Sequence, residues 1–318
     1  MENIVLYIIV PCYNEQEVLE ETARRLKAFL NENADMLSSD SRVLFVDDGS
    51  RDRTWELISA LTDADACFEG LRLSHNRGHQ NALWAGMDTV KDQCDCLISI
   101  DADLQDDVNA MRAFLEEFAR GADIVYGVRS SRETDSFFKR FTAESFYRLM
   151  ALLGAETVYN HADYRLLSAR ALNALMSYEE VNLYLRGMVP QLGFNTAKVY
   201  YERGERFAGQ SKYPLKKMLA LAFQGATSFS VKPISLIWKT GLLIVALSLL
   251  VGLIALCVPG FDPGFTAFSV WCACGLILSA LGLTGEYIGK VYAEVKRRPR
   301  YTVMEYKKSR QSLPDKDR

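Results

Sequence analysis

"CLISIDADLQDD", Cys96 to Asp107, is an apolar run of strand length that breaks into four carboxylates within seven residues. Its first half reads as a buried strand, because continuous apolar runs of four to eight residues bounded by polar clusters are typical of strands covered on both faces. The same signature recurs in "IVLYIIV" (4–10), "VLFV" (43–46), "GLRLS" (70–74) and "DIVYGV" (123–128). Helical spacing of apolar residues fills the gaps, in "EVLEETARRLKAFL", "TWELISAL", "QNALWAGMDTV" and "VNAMRAFLEEFARG". This alternation predicts an α/β domain, a Rossmann-like and mostly parallel sheet with helices on both faces. Asn14 and Glu17 stand where a capping box would open the first helix.

In such sheets ligands bind beyond the carboxyl ends of the strands. The strand exits read "PCYNE", "DDGSRD", "SHNRGHQ", "DADLQDD" and "RSSR", so polar groups gather along one rim. If residues 101–105 are extended, Asp101, Asp103 and Gln105 share one face and Ala102 and Leu104 the other. Clustered carboxylates repel one another unless a cation compensates, and such oxygen ligands suit Mg²⁺ or Mn²⁺. The competing reading is a solvated acidic turn, with Asp106 and Asp107 capping the next helix. No Gly-x-Gly-x-x-Gly or Walker lysine loop is present, so neither a dinucleotide-dependent dehydrogenase nor a P-loop enzyme is supported.

Composition bounds the rest. The 318 residues are 49% hydrophobic and 24% charged with a net charge of −3, so a folded chain without a basic field for nucleic acid is expected. The 7 cysteines lack Cys-x-x-Cys spacing and read as reduced thiols. Toward the other end, Thr240–Val258 and Phe265–Gly285 carry no charge, and each is long enough to cross the hydrocarbon core as a helix. Lys232 and Lys239 precede the pair; Lys290, Lys296, Arg297, Arg298 and Arg300 follow it. The positive-inside rule then puts both flanks, the N-terminal domain and both termini in the cytoplasm of a multi-pass inner-membrane protein. The expected domains are a catalytic domain over 1–212, a juxtamembrane amphipathic segment over 213–238, a transmembrane hairpin over 239–288 and a basic tail over 289–318.

The ordered series "VPCYNE", "VDDGSRDRT", "HNRGHQNAL", "DADLQDD", "YGVRSSR" and "RFAGQSKY", with the ending "GEYIGKVYAEVKRRPRY", resembles GT-A-type family-two glycosyltransferases. Within them it is similar to the polyprenyl-phosphate enzymes related to dolichyl-phosphate mannose synthase, in the bacterial form with two C-terminal spans. The resemblance implies that Pro11, Tyr13, Asn14, Glu15, Asp47, Asp101 and Gly78 hold the nucleotide sugar. Asp101, Asp103 and Gln105 would hold Mg²⁺ or Mn²⁺. Arg129, Arg140, Arg206, Ser211 and Lys212 would face the acceptor phosphate or the diphosphate. Asp163, Asp103 and Arg129 would carry the catalysis. One departure is that His79 follows Gly78 where many relatives have lysine.

The implied reaction is inverting transfer from a nucleotide sugar, UDP-glucose as first choice, to undecaprenyl phosphate, feeding cell-envelope glycan or lipopolysaccharide modification. GDP-mannose, UDP-N-acetylhexosamine and UDP-aminoarabinose remain alternative donors. A sugar nucleotidyltransferase and a non-catalytic nucleotide-sugar sensor are the alternatives of other classes. Expected partners are the lipid bilayer, a second copy of the chain, and a flippase or downstream glycosyltransferase. Because a phosphate monoester is already largely anionic at neutral pH, Asp163 is expected to orient substrate rather than remove a proton.

Overall fold

The computed structural model describes residues 3–130, 161–181, 183–202, 204, 241, 243, 246 and 263–308. The chain divides into two compact units: Met1–Ser145, Thr157–Lys212 and Pro299–Arg318 form the first, and Phe146–Glu156 and Tyr213–Arg298 the second.

In the first unit the apolar runs become β1 (Leu6–Cys12), β2 (Arg42–Asp47), β3 (Phe68–Leu73), β4 (Cys96–Ser99) and β5 (Ile124–Arg129). The amphipathic stretches become α1 (Leu19–Glu32), α2 (Thr54–Ala64), α3 (His79–Val90) and α4 (Ala110–Ala119). Beyond them lie β6 (His161–Ser168), α5 (Ala169–Met176), α6 (Leu185–Gln191), β7 (Thr196–Tyr201) and β8 (Val303–Lys307). All seven residues of β1 are buried, as a central strand covered on both faces requires. Leu6, Ile8 and Val10 enter one core with Leu19, Leu26, Trp55, Ile58, Met111 and Phe114 of α1, α2 and α4. Ile9 faces the other layer, where α3 approaches so closely that a Cβ on Gly86 would lie 2.6 Å from the Ile9 side chain.

The strand order is β7-β5-β6-β4-β1-β2-β3-β8. The pairs β1–β2, β1–β4, β2–β3 and β5–β7 are parallel. The pairs β4–β6, β5–β6 and β3–β8 are antiparallel. The sheet is therefore mixed, with four of its seven pairs parallel and helices on both faces as expected. The physical reason lies in β6, which enters between β4 and β5 in the reverse direction. Ser99 pairs with Arg165, and the Ser99 hydroxyl donates to the Asp163 carbonyl at 2.5 Å, so the start of β6 lies beside the exit of β4.

Within the stretch expected to be a basic tail, β8 adds an edge strand to β3. Tyr306 donates to the buried Glu69 at 2.6 Å, and Lys307 donates to Asp63 and to the Ser59 hydroxyl, each at 2.6 Å. The Arg300 guanidinium lies 4.2 Å from the Trp84 ring centre and donates to the carbonyls of Tyr178 and Glu180. Tyr301 donates to Asp88 at 2.6 Å.

In the second unit α7 runs over Pro263–Lys296, 34 residues, and exposes Val270, Leu276, Ile277, Leu281, Ile288, Val291 and Val295. Among the described residues no helix is long and apolar enough to cross a membrane. The expected span 240–258 lies outside those residues apart from 241, 243 and 246, and so do several α7 side chains.

Candidate active site

The loops after β1, β2 and β3 are sewn together by small polar side chains. Asn14 sits at φ 54, its amide donates to the Ser50 hydroxyl at 3.0 Å, and its side-chain oxygen accepts from the Arg51 amide at 2.9 Å. The expected capping box is not formed: α1 starts after Val18 without a side-chain cap, because Asn14 is committed to the neighbouring loop. The Glu15 amide donates to the Thr54 hydroxyl at 2.9 Å. The Asp48 carboxylate accepts from the amides of Arg77 and Gly78 at 2.7 and 2.8 Å, which fixes the turn ahead of α3. Gly49, at φ +67, lies so near this turn that a Cβ would come within 2.8 Å of the His75 and Asn76 backbone.

Pro11 and Asp47 sit at the ends of β1 and β2, with Pro11 paired to Val46 and Cys12 to Asp47. Asp47 is fully buried. One of its oxygens accepts from the Ser50 amide at 3.0 Å; the other accepts no hydrogen bond and has the Arg72 guanidinium 3.5 Å away. Burial raises its pKa. A buried acceptor lacking a donor suits an N–H brought by a ligand, such as that of a nucleobase. Tyr13 and Glu15 are half-buried at the same exit.

The stretch 101–107 is a series of turns with Leu104 at φ 57, which corrects the expected extended segment. Its burial still alternates: Ala102 and Leu104 pack inward, while Asp101, Asp103 and Gln105 are partly open. The Gln105 amide donates to Asp103 at 3.2 Å, and the Gln105 carbonyl accepts from the Gly204 amide at 2.8 Å. Loss of hydration lifts the Asp101 pKa to about 6; Asp106, Asp163 and Asp103 add to the rise and His79 opposes it. Charge strain of this kind is relieved by a cation. Among the described residues no three acidic, histidine or cysteine side chains form a complete metal cage. The donor set fits an ion held by one or two carboxylates and completed by phosphate oxygens and water.

Asp106 is not the solvated cap that the sequence allows. It is buried, accepts from the Tyr201 hydroxyl at 2.5 Å, and has the Arg129 guanidinium at 3.5 Å. Arg129 is also 3.4 Å from the Tyr201 hydroxyl oxygen, so an expected phosphate ligand is aimed by a buried acid and a tyrosine.

Asp163 lies at the centre of a second network. Arg165, fully buried, donates to it at 2.5 Å, and Arg186 donates through Nε and Nη2 at 3.3 and 3.1 Å. His79 Nε2 stands 3.7 Å from Asp163 and 3.6 Å from Asp101, joining the two acids. Burial alone would raise the Asp163 pKa, but Arg186, His79 and Arg165 outweigh it and hold the carboxyl well below its ordinary range. The acid therefore stays ionised and has little tendency to take a proton.

Sequence reasoning did not single out Arg186, Tyr201 or the pairing of Asp106. The available signal was a lone arginine inside the apolar run "LYLRGMV". Arg140, Arg206, Ser211 and Lys212 lie outside the described residues.

A family model described as glycosyl transferase family 2 matches residues 7–176. The uncharacterized glycosyltransferase YkoT of Bacillus subtilis (strain 168) is 49% identical over 306 residues, 94% of this chain and 91% of that protein. The SfII prophage-derived bactoprenol glucosyl transferase of Shigella flexneri is 35% identical over 315 residues, 96% of this chain and 99% of that one. Among solved structures, the mannosyltransferase PcManGT from Pyrobaculum calidifontis, in complex with GDP-Man and Mn²⁺, gives a TM-score of 0.46 at 15% identity. That match covers 93% of this chain and 88% of the other.

Proposed function

The chain belongs to glycosyl transferase family 2 and is a glycosyltransferase, and from that premise we propose that it transfers a sugar, glucose from UDP-glucose as first choice, to a polyprenyl phosphate at the membrane. The observation that carries the acceptor class is Asp163. An acid held ionised by two arginines is a poor general base, so it suits an acceptor that arrives already deprotonated. A phosphate monoester, with its second pKa near 6, is such an acceptor. The glucosyl and bactoprenol words come from the name of the Shigella flexneri relative, which matches nearly the whole chain.

In this reading Asp47 and the loops after β1 and β2 hold the nucleoside, and Asp48 keeps the 74–78 turn in place beside it. Asp101 and Asp103, with Gln105, hold Mg²⁺ or Mn²⁺. Such an ion, when bound, supplies positive charge to the leaving diphosphate. Arg129, braced by Asp106 and Tyr201, presents a rigid fork to phosphate oxygens. The acceptor oxygen attacks the anomeric carbon, its bond to the diphosphate oxygen breaks, and the electron pair leaves with the nucleoside diphosphate. A single displacement inverts the centre, so an α-linked donor gives a β-linked lipid phosphate sugar.

We place the work at the bilayer because the acceptor lives there. The uncharged stretches 240–258 and 265–285 and the exposed apolar residues of α7 support attachment. The test is incubation of purified protein with undecaprenyl phosphate, Mg²⁺ and labelled nucleotide sugars. Lipid-linked label from UDP-glucose that disappears on chelation is expected; release of pyrophosphate with no lipid product would contradict the reading.

A further inference from the structure

Resting on this functional reading, we propose that Arg186 is a phosphate-binding residue of the reacting centre and that Asp163 is the positioning residue that aims it.

The first observation is the surplus of charge. Arg165, fully buried and 2.5 Å from Asp163, already gives that carboxylate a complete counter-charge. A second arginine is not needed to neutralise it, so Arg186 brings a positive charge beyond the one that Asp163 requires. Arg186 is nevertheless brought there, with its side chain 37% exposed where that of Arg165 is 0% exposed.

The second observation is how its backbone is held. Leu185, Gly187, Met188 and Val189 of α6 are buried. The Leu185 amide donates to the Gln80 side chain at 2.9 Å, and the Leu185 carbonyl accepts from Arg165 Nη1 at 3.2 Å. Gln80 follows His79, the residue that joins Asp163 to Asp101. The root of Arg186 is thus tied both to the network partner of Asp163 and to the helix that opens beside the acidic mouth.

The third observation is the orientation of the fork. Nε and Nη2 are spent on Asp163, while Nη1 has no partner among the described residues. An arginine with one edge fixed by a carboxylate, a donor left over and a side chain 37% exposed is prepared for a further oxyanion. Phosphate is the oxyanion that both substrates carry. The acceptor monoester and the donor diphosphate are two sources of that one chemistry.

The test compares wild type, Arg186→Gln and Arg186→Lys in the transfer assay, with UDP affinity measured by calorimetry and Tm recorded for each. We expect Arg186→Gln to raise one KM by about tenfold or more, since loss of uniform binding appears in KM. A rise for polyprenyl phosphate alone, with UDP affinity unchanged, assigns the arginine to the acceptor. A rise for UDP-glucose with a matching loss of UDP affinity assigns it to the diphosphate. Arg186→Lys keeps the charge and loses the fork, so a smaller rise in the same KM is expected.

Both KM values and UDP affinity within about twofold of wild type overturn the proposal whether or not Tm moves, because a merely structural arginine would move Tm and not binding. If Arg186→Gln does not fold, Arg186→Lys decides by the same readouts, and unaltered KM values again overturn it. A wild-type chain that transfers no sugar to polyprenyl phosphate overturns the functional reading and this inference with it. Transfer by the wild type with both variants indistinguishable from it overturns the inference alone.

Discussion

The loops after β1, β2 and β3 and the segments β6, α6 and β7 build the site with different chemistry. The first group is joined by neutral or singly charged side chains bonded to backbone amides: Asn14 to Arg51, Thr54 to Glu15, and Asp48 to Arg77 and Gly78. The second is joined mainly by charge to charge: Asp163 with Arg165 and Arg186, and Asp106 with Arg129, to which the Tyr201 hydroxyl adds a neutral donor. Amide bonds fix the path of the chain and leave little charge to offer. Ion pairs fix side chains and, in the proposed function, the arginines they hold are the groups offered to phosphates. In the proposed function the first half would supply shape to the nucleotide and the second charge to the transfer.

Removing a charge from the second half should cost most. Asp163→Ala leaves two arginines without their counter-charge, and breaking a buried pair in this way costs about 3–5 kcal/mol. Chemical denaturation measures it, and a loss below about 1 kcal/mol would break the contrast. The sign with pH follows from the depressed pKa of Asp163. The carboxylate's contribution is fully present above the unfolded value of about 3.9 and is lost as pH falls through the lower folded value. The stability gap between wild type and Asp163→Asn should therefore shrink in acid, as pH falls below about 4.

Asp103→Asn comes next and separates chemistry from folding. Asp103 is partly open, so Tm should hold while kcat falls by about 10²–10³-fold, the scale of losing one preorganised electrostatic contact in a transition state. Unchanged turnover would remove the metal from the account. In the first half, Asp48→Ala strands two amide donors; a cost of about 1–3 kcal/mol and a raised KM for the nucleotide sugar, with the acceptor KM unmoved, are expected. Tyr201→Phe is the smallest change. It deletes one hydroxyl that braces Asp106 and Arg129, and should cost about 1 kcal/mol by thermal denaturation. A larger loss for Tyr201→Phe than for Asp163→Ala would invert the ranking.

The same division governs what the sequence discloses. Strands β1, β2, β4 and β5 are visible as apolar runs because each is covered on both faces, while β3 carries Glu69 and Arg72 within its run. The position of "DADLQDD" follows from the end of one such run. Strand β6 reads "HADYRLLS" and hides a fully buried arginine, which only its partners Asp163 and Leu185 explain. The antiparallel entry of β6 between β4 and β5 is a tertiary choice without a local signature. The β8 anchor Tyr306 meets Glu69 across 237 positions, beyond any periodicity. Asn14 resembles a helix cap locally, yet the neighbouring loop takes its hydrogen bonds. Local patterns thus reveal the amide-built half, while Arg186 and Tyr201 become functional candidates only through their partners.

The most direct measurement is kcat/KM for polyprenyl phosphate, followed from about pH 6.5 to 9 in wild type and Asp163→Asn. An orienting acid predicts parallel curves, with the variant lower by a constant factor and no recovery at high pH. A variant whose rate climbs about tenfold per pH unit toward the wild-type value would make Asp163 the general base and contradict the account.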